Sequence, residues 1–223
     1  MTKILALETA TEACSAALLI DGEINERFEI APRRHTDIIL PMVAELLADA
    51  GLAAQNIDAI AFGAGPGSFT GVRVATSVAQ GMALAHDLPV VPLSCLAILA
   101  LGGARAHDCA SVAAVMDARR QEIYFAVYAV DQATQVSTCL EPDAIGAPQD
   151  VRFPTGAKCI VVGAGMHVYR EQFANMCEPN VTLMDNPLYP RARDGLMQAL
   201  DAFKSNATVA AEFAEPVYLR RAV

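Results

Sequence analysis

The chain has 223 residues, of which 54% are hydrophobic and 18% are charged. This balance excludes an intrinsically disordered protein, which has few apolar residues and many charges, and no apolar run reaches the length of about 18 residues that a membrane-spanning helix needs. The net charge of −9 disfavours a protein that binds nucleic acid by itself, because phosphate contacts require a basic surface. We therefore expect a compact cytoplasmic protein that makes no membrane contact.

Six cysteines and four histidines are scattered along the chain, and they form neither a Cys-x-x-Cys nor a His-x-x-x-His pair. Structural and catalytic metal sites are built from such closely spaced ligands. The spacing therefore predicts no metal and no other cofactor, and it predicts reduced cysteines that act mostly as small buried hydrophobes.

The first half of the chain alternates apolar runs with helical patterns. The apolar runs predict five strands, at residues 3–7, 14–20, 24–30, 57–62 and 89–93. A helix follows the third strand, with Thr36 as its N-cap, Pro41 in its first turn or at a kink, and Gly51 just past its end. A second helix is predicted to end at about His86, and a third to begin after Ser94 and end near residues 102–103.

The second half repeats this order and predicts a duplicated fold. Strands are expected at residues 112–116, 123–130, 136–140 and 158–162, and helices at residues 168–176 and 194–203. In each half the first strand is followed by an acid, Glu8 or Asp117, and a later strand runs into glycines. Such a duplication predicts two α/β lobes with mixed sheets, which we place at residues 1–105 and 106–223.

A glycine-rich stretch, Gly65–Gly71, links the fourth strand to the second helix. Glycines at a helix N-terminus let an anion approach free N–H groups, although no Lys follows as in a Walker A loop. The alternative is a tight turn with nothing bound, and the motif alone leaves the two interpretations open. Its candidate phosphate contacts are Gly65, Gly67, Ser68, Thr70 and Gly71.

The two acids that follow the first strand of each half have two interpretations. Glu8 and Asp117 could together position Mg²⁺ and a nucleotide phosphate, with Arg73, Arg119 and Arg120 as cationic partners. Alternatively, each acid caps a turn, and this interpretation gains weight because Glu is longer than the Asp that such a site would prefer.

The helix at residues 36–50 has a broad apolar stripe. Such a stripe usually packs in the core of the chain. Together with the helix at residues 71–86, which is rich in small residues, it is also suited to a helix–helix subunit interface.

The chain carries a resemblance that extends over nearly its whole length. The stretches that carry it are residues 4–15, Arg33-Arg34-His35 leading into Leu40-Pro41-Met42, residues 62–73, Asp117-Ala118-Arg119 before Glu122-Ile123-Tyr124, and residues 215–220. Together they resemble the bacterial TsaB (YeaZ) family of tRNA threonylcarbamoyladenosine biosynthesis.

The resemblance implies a fold and a role. The fold would be that of actin, sugar kinases and Hsp70, with two duplicated βββαβα lobes. The role would be that of a non-catalytic partner, which activates the catalytic paralogue TsaD and works with the ATPase TsaE. That complex transfers threonylcarbamoyl from threonylcarbamoyl-AMP to N6 of adenosine 37 in tRNAs that read codons beginning with A. The isolated chain would form a homodimer and would meet tRNA only through the complex.

Two positions differ from the patterns of the paralogue and of the relatives, and both differences support the expected non-catalytic role. The paralogue binds its metal through a His-x-x-x-His pair, whereas His35 is followed four residues later by Ile39. Glu8 stands where most relatives have Asp. No catalytic residue is therefore expected in this chain.

The resemblance also implies that the first two helices bind the partner. The apolar positions that we expect to be exposed for this purpose are Ile38, Ile39, Met42, Leu46, Val74, Ala75, Val78 and Met82.

Two other functions remain as alternatives. A small-molecule kinase of the same fold would use the Gly65–Gly71 loop and Asp117. A peptidase acting on the paralogue ranks last, because the sequence offers no recognisable nucleophile or zinc site for it.

Overall fold

The computed structural model describes residues 2–186 and 188–220. They form two compact units: the first contains the described residues up to Cys95 together with Arg191–Val217, and the second contains Leu96–Pro190 and the residues from Tyr218. Within the described residues, no helix has both the length and the apolar character needed to cross a membrane.

The helices and strands are numbered in chain order. The strands are β1 Lys3–Glu8, β2 Ala13–Ile20, β3 Glu23–Ile30, β4 Ala59–Gly65, β5 Val90–Ser94, β6 Ser111–Arg119, β7 Glu122–Asp131, β8 Val136–Gly146, β9 Cys159–Val162 and β10 Val181–Leu183. The helices are α1 His35–Asp49, α2 Phe69–His86, α3 Cys95–His107, α4 Ala164–Val168, α5 Arg170–Met176 and α6 Ala192–Lys204.

Each unit contains a five-stranded mixed sheet, and the two sheets share one topology. The strand order is β3-β2-β1-β4-β5 in the first unit and, read in the matching direction, β8-β7-β6-β9-β10 in the second. In both, the first three strands are antiparallel and the last two run parallel to the first. The duplication and the actin/sugar-kinase/Hsp70-like fold expected from the sequence are confirmed.

The sheet of the first unit is covered on both faces. Leu5, Leu7 and Leu18 belong to a core cluster with the apolar stripes of α1 and α2. Ser15 points to the opposite face, because successive strand residues alternate, and its Oγ accepts a hydrogen bond from the backbone N–H of Ala192 at 2.9 Å. Helix α6 therefore packs on the face of the sheet that α1 and α2 leave open.

This packing of α6 makes the units differ from the lobes predicted at residues 1–105 and 106–223. The chain passes to the second unit after Cys95, and residues Arg191–Val217 return to the first. Sequence order alone does not reveal such a return, because it depends on long-range packing.

Three details of the helices differ from the prediction. Helix α1 begins at His35, and its N-cap is Arg34 without a side-chain cap bond, so the cap assigned to Thr36 was wrong. Pro41 lies inside the helix, which excludes the predicted position in the first turn, while the predicted kink stays a prediction. Helix α3 continues past Gly103, where a Cβ would lie 3.1 Å from the methyl groups of Val162, so this glycine serves close packing rather than the end of the helix. The predicted position of Gly51, after the C-cap of α1 with a φ of +63°, is confirmed.

An ion-pair cluster fixes the start of α6 to β3. The Arg191 guanidinium pairs with Glu26, whose side chain is 6% exposed, and lies 4.2 Å from the centre of the Phe28 ring. Arg193 lies 4.0 Å from the same carboxylate. Removing one partner of a buried ion pair is costly, because the remaining charge loses its compensation.

We expect Arg191→Ala to lower the free energy of unfolding by about 2 kcal/mol, because Glu26 stays buried and keeps only the more distant Arg193 as its cationic partner. Urea unfolding of the purified chain measures this change. The control is Arg34→Ala, which breaks the exposed pair with Glu29 and should change stability by less than about 0.5 kcal/mol. Equal effects of the two substitutions would contradict the prediction.

Candidate functional site

Helices α1 and α2 enclose a groove on the surface of the first unit. Its volume is about 470 Å³, which is within the range of sites that accept a ligand or a large side chain. The lining residues are Thr36, Ile39, Phe69, Thr70, Arg73, Val74, Ser77 and Val78. The groove therefore combines an apolar floor with hydroxyl groups and one cation.

Large apolar side chains on these two helices are open to solvent. Phe69 is 60% exposed at the first position of α2, and Leu40 is 52% exposed on α1. The Arg73 guanidinium stacks on the Phe69 ring at 3.8 Å from its centre. Exposed aromatic and leucine side chains beside an apolar groove are typical of protein interaction surfaces.

The structure corrects the predicted exposure of the helix residues. Ile38, Ile39, Met42, Leu46 and Ala75 are buried in the core of the chain itself, whereas Val74, Val78 and Met82 are partly buried against it. The apolar stripe of an amphipathic helix identifies the face that packs on its own sheet, so it was the wrong guide to the exposed face. Of the eight, Ile39, Val74 and Val78 reach the groove; their role in partner binding stays a prediction.

Sequence reasoning missed Phe69, Thr36, Arg73 and Ser77 as residues of this surface. The position of Phe69 in the sequence is the one feature that indicated this surface. Phe69 directly follows the capping serine, at a helix position where a large apolar side chain has little of its own chain to cover it.

The glycine-rich stretch is packed against the turn after β1. Ser68 is the N-cap of α2: its Oγ accepts from the N–H of Gly71 at 3.0 Å, and its own N–H donates to the carbonyl of Ala10 at 2.8 Å. A Cβ at Gly67 would lie 2.5 Å from the Cβ of Ala10, and one at Gly71 well within 3.0 Å of the Thr9 carbonyl oxygen. The space beside these two glycines is therefore filled by Ala10 and Thr9, residues of the turn after β1.

The other end of the stretch is covered by the C-terminal segment. Gly65 has a φ of +117°, and a Cβ there would lie 2.5 Å from the carbonyl oxygen of Val217. The N–H of Val217 in turn donates to the carbonyl of Ala64 at 2.7 Å. These contacts favour the tight-turn interpretation, although Ser68 and Thr70 are exposed and phosphate contact stays a prediction.

The acid that ends β1 is fully buried. Glu8 Oε1 accepts from the N–H of Ala10 at 2.6 Å, and Oε2 has no N–H or O–H donor among the described residues. The carboxyl lies beside Gly63 and the weakly donating thiol of Cys95. Burial raises the pKa of Glu8 to about 7, against the opposing effect of the bond from Ala10.

Asp117, the equivalent acid in the second unit, builds a turn in the same way. Its Oδ1 accepts from the N–H of Arg119 at 2.8 Å, two residues ahead, and its Oδ2 pairs with the Arg119 side chain at 3.0 Å. The hairpin that follows contains three successive residues with positive φ, namely Arg119, Arg120 and Gln121. Both acids therefore accept from the N–H two residues on, as expected for carboxylates that cap turns.

Among the described residues, no three His, Cys, Asp or Glu side chains come together as metal ligands. The N-terminus of α1 places His35 beside Thr36, with Ile39 one turn further along. The first unit therefore offers a surface groove and the turn that Glu8 caps, whereas the turn that Asp117 caps lies in the second unit.

Comparison with known proteins agrees with the duplicated fold. The family model described as "TsaD: tRNA N6-adenosine threonylcarbamoyltransferase" matches residues 28–219. The chain is 40% identical to the tRNA threonylcarbamoyladenosine biosynthesis protein TsaB of Escherichia coli, over 99% of this chain and 96% of that protein. It is 39% identical to TsaB of Haemophilus influenzae, over 99% and 94% of the two chains.

Solved structures give the same result. YeaZ from Pseudomonas aeruginosa superposes with a TM-score of 0.91 at 43% identity and covers 98% of this chain and 100% of that chain. Together with the full-length relatives, this shows that the chain belongs to the TsaB (YeaZ) family of tRNA threonylcarbamoyladenosine biosynthesis proteins.

Proposed function

We propose that this chain is the non-catalytic, activating subunit of the complex that transfers threonylcarbamoyl from threonylcarbamoyl-AMP to N6 of adenosine 37 of tRNA. It pairs with the catalytic paralogue TsaD and works with the ATPase TsaE in the cytoplasm. The isolated chain forms a homodimer, and tRNA is bound through the complex, in keeping with the net charge of −9 and the need of RNA binding for basic surface.

The observation that carries this proposal is the surface formed by α1 and α2. Phe69 and Leu40 are exposed beside an apolar groove of about 470 Å³. Subunit interfaces are dominated by a few large apolar or aromatic side chains that fill pockets on the partner. We therefore assign partner binding to this face, with Phe69 as its principal apolar anchor.

The turn geometry of the two acids supports the non-catalytic part of the proposal. A Mg²⁺ site for phosphoryl transfer needs carboxylate oxygens that point to the ion. Glu8 is 0% exposed and both acids are engaged by their own turns. A subunit that contributes surface rather than chemistry agrees with this arrangement.

The test of the proposal is Phe69→Asp. Because Asp is favourable at the first turn of a helix and Phe69 is 60% exposed, the variant should fold normally. We expect it to lose co-purification with TsaD and to fail to restore threonylcarbamoyladenosine, measured by nucleoside mass spectrometry, in cells depleted of the wild-type chain.

The matched control is Leu140→Asp, which places the same charge at a side chain 49% exposed in the second unit. It should bind TsaD and restore the modification. If Phe69→Asp also co-purifies and restores the modification, this face is not the site of pairing. If depletion leaves the modified nucleoside unchanged, the proposed function is wrong.

A further inference from the structure

Two large apolar side chains are exposed at the far end of α2 from the groove. Phe213 is 66% exposed, the highest exposed fraction of any large apolar side chain among the described residues, and Leu84 is 60% exposed. Leu84 lies about 22 Å further along the axis of α2 than Phe69. The Leu84/Phe213 surface, named after these two residues, is therefore separate from the anchor of the groove.

The chain holds Phe213 in a fixed position. Phe213 is the last residue of a short 3₁₀ helix, and Ala211 and Ala214 beside it are buried in the core of the first unit. Gln80, one turn before Leu84 on α2, donates from Nε2 to the Ala211 carbonyl at 3.1 Å. A side chain that is held in place before binding loses less entropy on binding, so Phe213 is suited to anchor another molecule.

The charged groups at this surface are acidic. Glu212 and Glu215 lie on either side of the exposed phenylalanine in the chain, and Asp87 is the C-cap of α2, just beyond the exposed leucine. All three are exposed. Residues 80–90 and 205–217 contain one histidine and neither Lys nor Arg. Within the described part of the chain, none of the three carboxylates forms an ion pair.

We propose that the Leu84/Phe213 surface binds an apolar segment of a partner protein that is flanked by Lys or Arg. An aliphatic or aromatic side chain of that segment packs on the two exposed apolar side chains, and its cations pair with the three acids. The inference goes beyond the proposed function and does not depend on the pairing with TsaD, which uses the groove.

Charge complementarity favours this occupant over the other classes. A surface with three carboxylates repels the phosphates of nucleic acids and of anionic membranes. In a symmetric dimer the same surface patch meets itself, so a second copy would bring like charges together, which is costly at an interface. A basic apolar segment gains from the apolar contact and from the ion pairs.

The experiment measures the binding of two synthetic amphipathic peptides of about four helical turns to the purified chain by fluorescence anisotropy. Both peptides have leucines on one face; the other face has lysines in one peptide and glutamates in the other. We expect the lysine peptide to bind at least about tenfold more tightly, and to lose affinity at high salt. In amide spectra of the isotope-labelled chain, its binding should shift signals of residues 80–88 and 209–217.

Phe213→Ser tests the apolar contact, because it removes the ring without changing the charge. It should raise the dissociation constant of the lysine peptide at least about tenfold, as expected for a central anchor. The matched control is Leu140→Ser, at an exposed apolar side chain of the second unit, which should leave the dissociation constant unchanged. Thermal unfolding of each variant verifies that the fold is intact.

The combined substitution of Glu212→Gln and Glu215→Gln tests the charge contact. It should weaken binding of the lysine peptide and make that binding less dependent on salt. The same change at two exposed acids of the second unit, Glu171→Gln with Glu178→Gln, is the control for net charge. It should have a much smaller effect.

Each of the remaining outcomes would overturn the inference. If the two peptides bind equally, or if Leu140→Ser weakens binding as much as Phe213→Ser does, the surface does not select a basic apolar segment. If Phe213→Ser prevents co-purification with TsaD, the surface belongs to the pairing face. If it dissociates the homodimer proposed for the isolated chain, the occupant is a second copy.

Discussion

Gly71→Ala should lower the free energy of unfolding by about 3 kcal/mol or more, because the new Cβ would overlap with backbone that has no room to move. The Cβ would lie well within 3.0 Å of the Thr9 carbonyl oxygen and 2.7 Å from Ser68 Oγ. The Thr9 hydroxyl also donates to the Gly71 carbonyl at 2.6 Å. The substitution therefore separates the turn after β1 from the start of α2.

Gly81→Ala is the matched control on the same helix. Nothing lies within 4 Å of a Cβ at Gly81, so alanine should raise the stability of the isolated chain by up to about 1 kcal/mol through helix propensity alone. Urea unfolding of the two variants against the wild type measures both changes. Stability of Gly71→Ala within about 0.5 kcal/mol of the wild type would show that the turn can move away, and would refute the packing argument.

A strongly destabilised Gly71→Ala variant would change how the glycine-rich stretch is interpreted. A loss of function on replacing Gly67 or Gly71 would follow from the fold, because Ala10 and Thr9 occupy the space that each glycine leaves. A test of phosphate contact must instead use the exposed hydroxyls of Ser68 and Thr70. Since Ser68 also caps α2, Thr70→Val is the cleaner variant.

The order of the elements could be predicted from the sequence because it depends on local patterns. Apolar runs such as residues 14–20 and the helical spacing of α2 identified strands and helices, and the repeated order revealed the duplication. The return of α6 to the first unit could not be predicted in this way. It depends on contacts such as that between Ser15 and Ala192, which are 177 residues apart.

The binding surface was harder to predict than the core. The periodic residues Ile39 and Leu46 of α1 fill the interior, so periodicity identified the face turned away from solvent. On α2, the face turned to solvent carries Phe69 and Arg73, whose stacking depends on the helix geometry and is not evident from the sequence pattern. A helix that packs one apolar face on its own sheet and exposes single large side chains on the other face can bind a partner while its buried face stays packed in the core.

Glu8 shows most clearly how the structure decides between two interpretations of one residue. Its carboxyl is fully buried, with one oxygen lacking an N–H or O–H donor among the described residues. Desolvation disfavours the charged form of such a group, and burial raises the pKa of Glu8 from 4.5 to about 7. A carboxyl that faces inward and keeps its proton up to about neutral pH is poorly suited to hold Mg²⁺, whereas its bond to Ala10 suits a turn.

The raised pKa makes stability depend on pH with a definite sign. Between the unfolded pKa of 4.5 and the folded pKa of about 7, the unfolded chain has lost the Glu8 proton and the folded chain has kept it. Folding therefore takes up a proton, and the contribution of Glu8 to stability falls as pH rises through this range. At about 1.4 kcal/mol for each pKa unit, the loss amounts to about 3 kcal/mol above pH 7.

We expect Glu8→Gln to remove this loss, because an amide stays neutral and its oxygen can still accept from Ala10. The stability gained over the wild type should be small near pH 4.5 and rise to about 3 kcal/mol above pH 7. Urea unfolding across this range measures it, with Glu23→Gln as the control at an exposed carboxyl at the start of β3. A difference between Glu8→Gln and the wild type that stays constant with pH would mean that Glu8 ionises inside the folded chain as easily as outside it. The buried turn would then have room for a charge, and the interpretation of Glu8 as a ligand for a phosphate-bound cation would regain support.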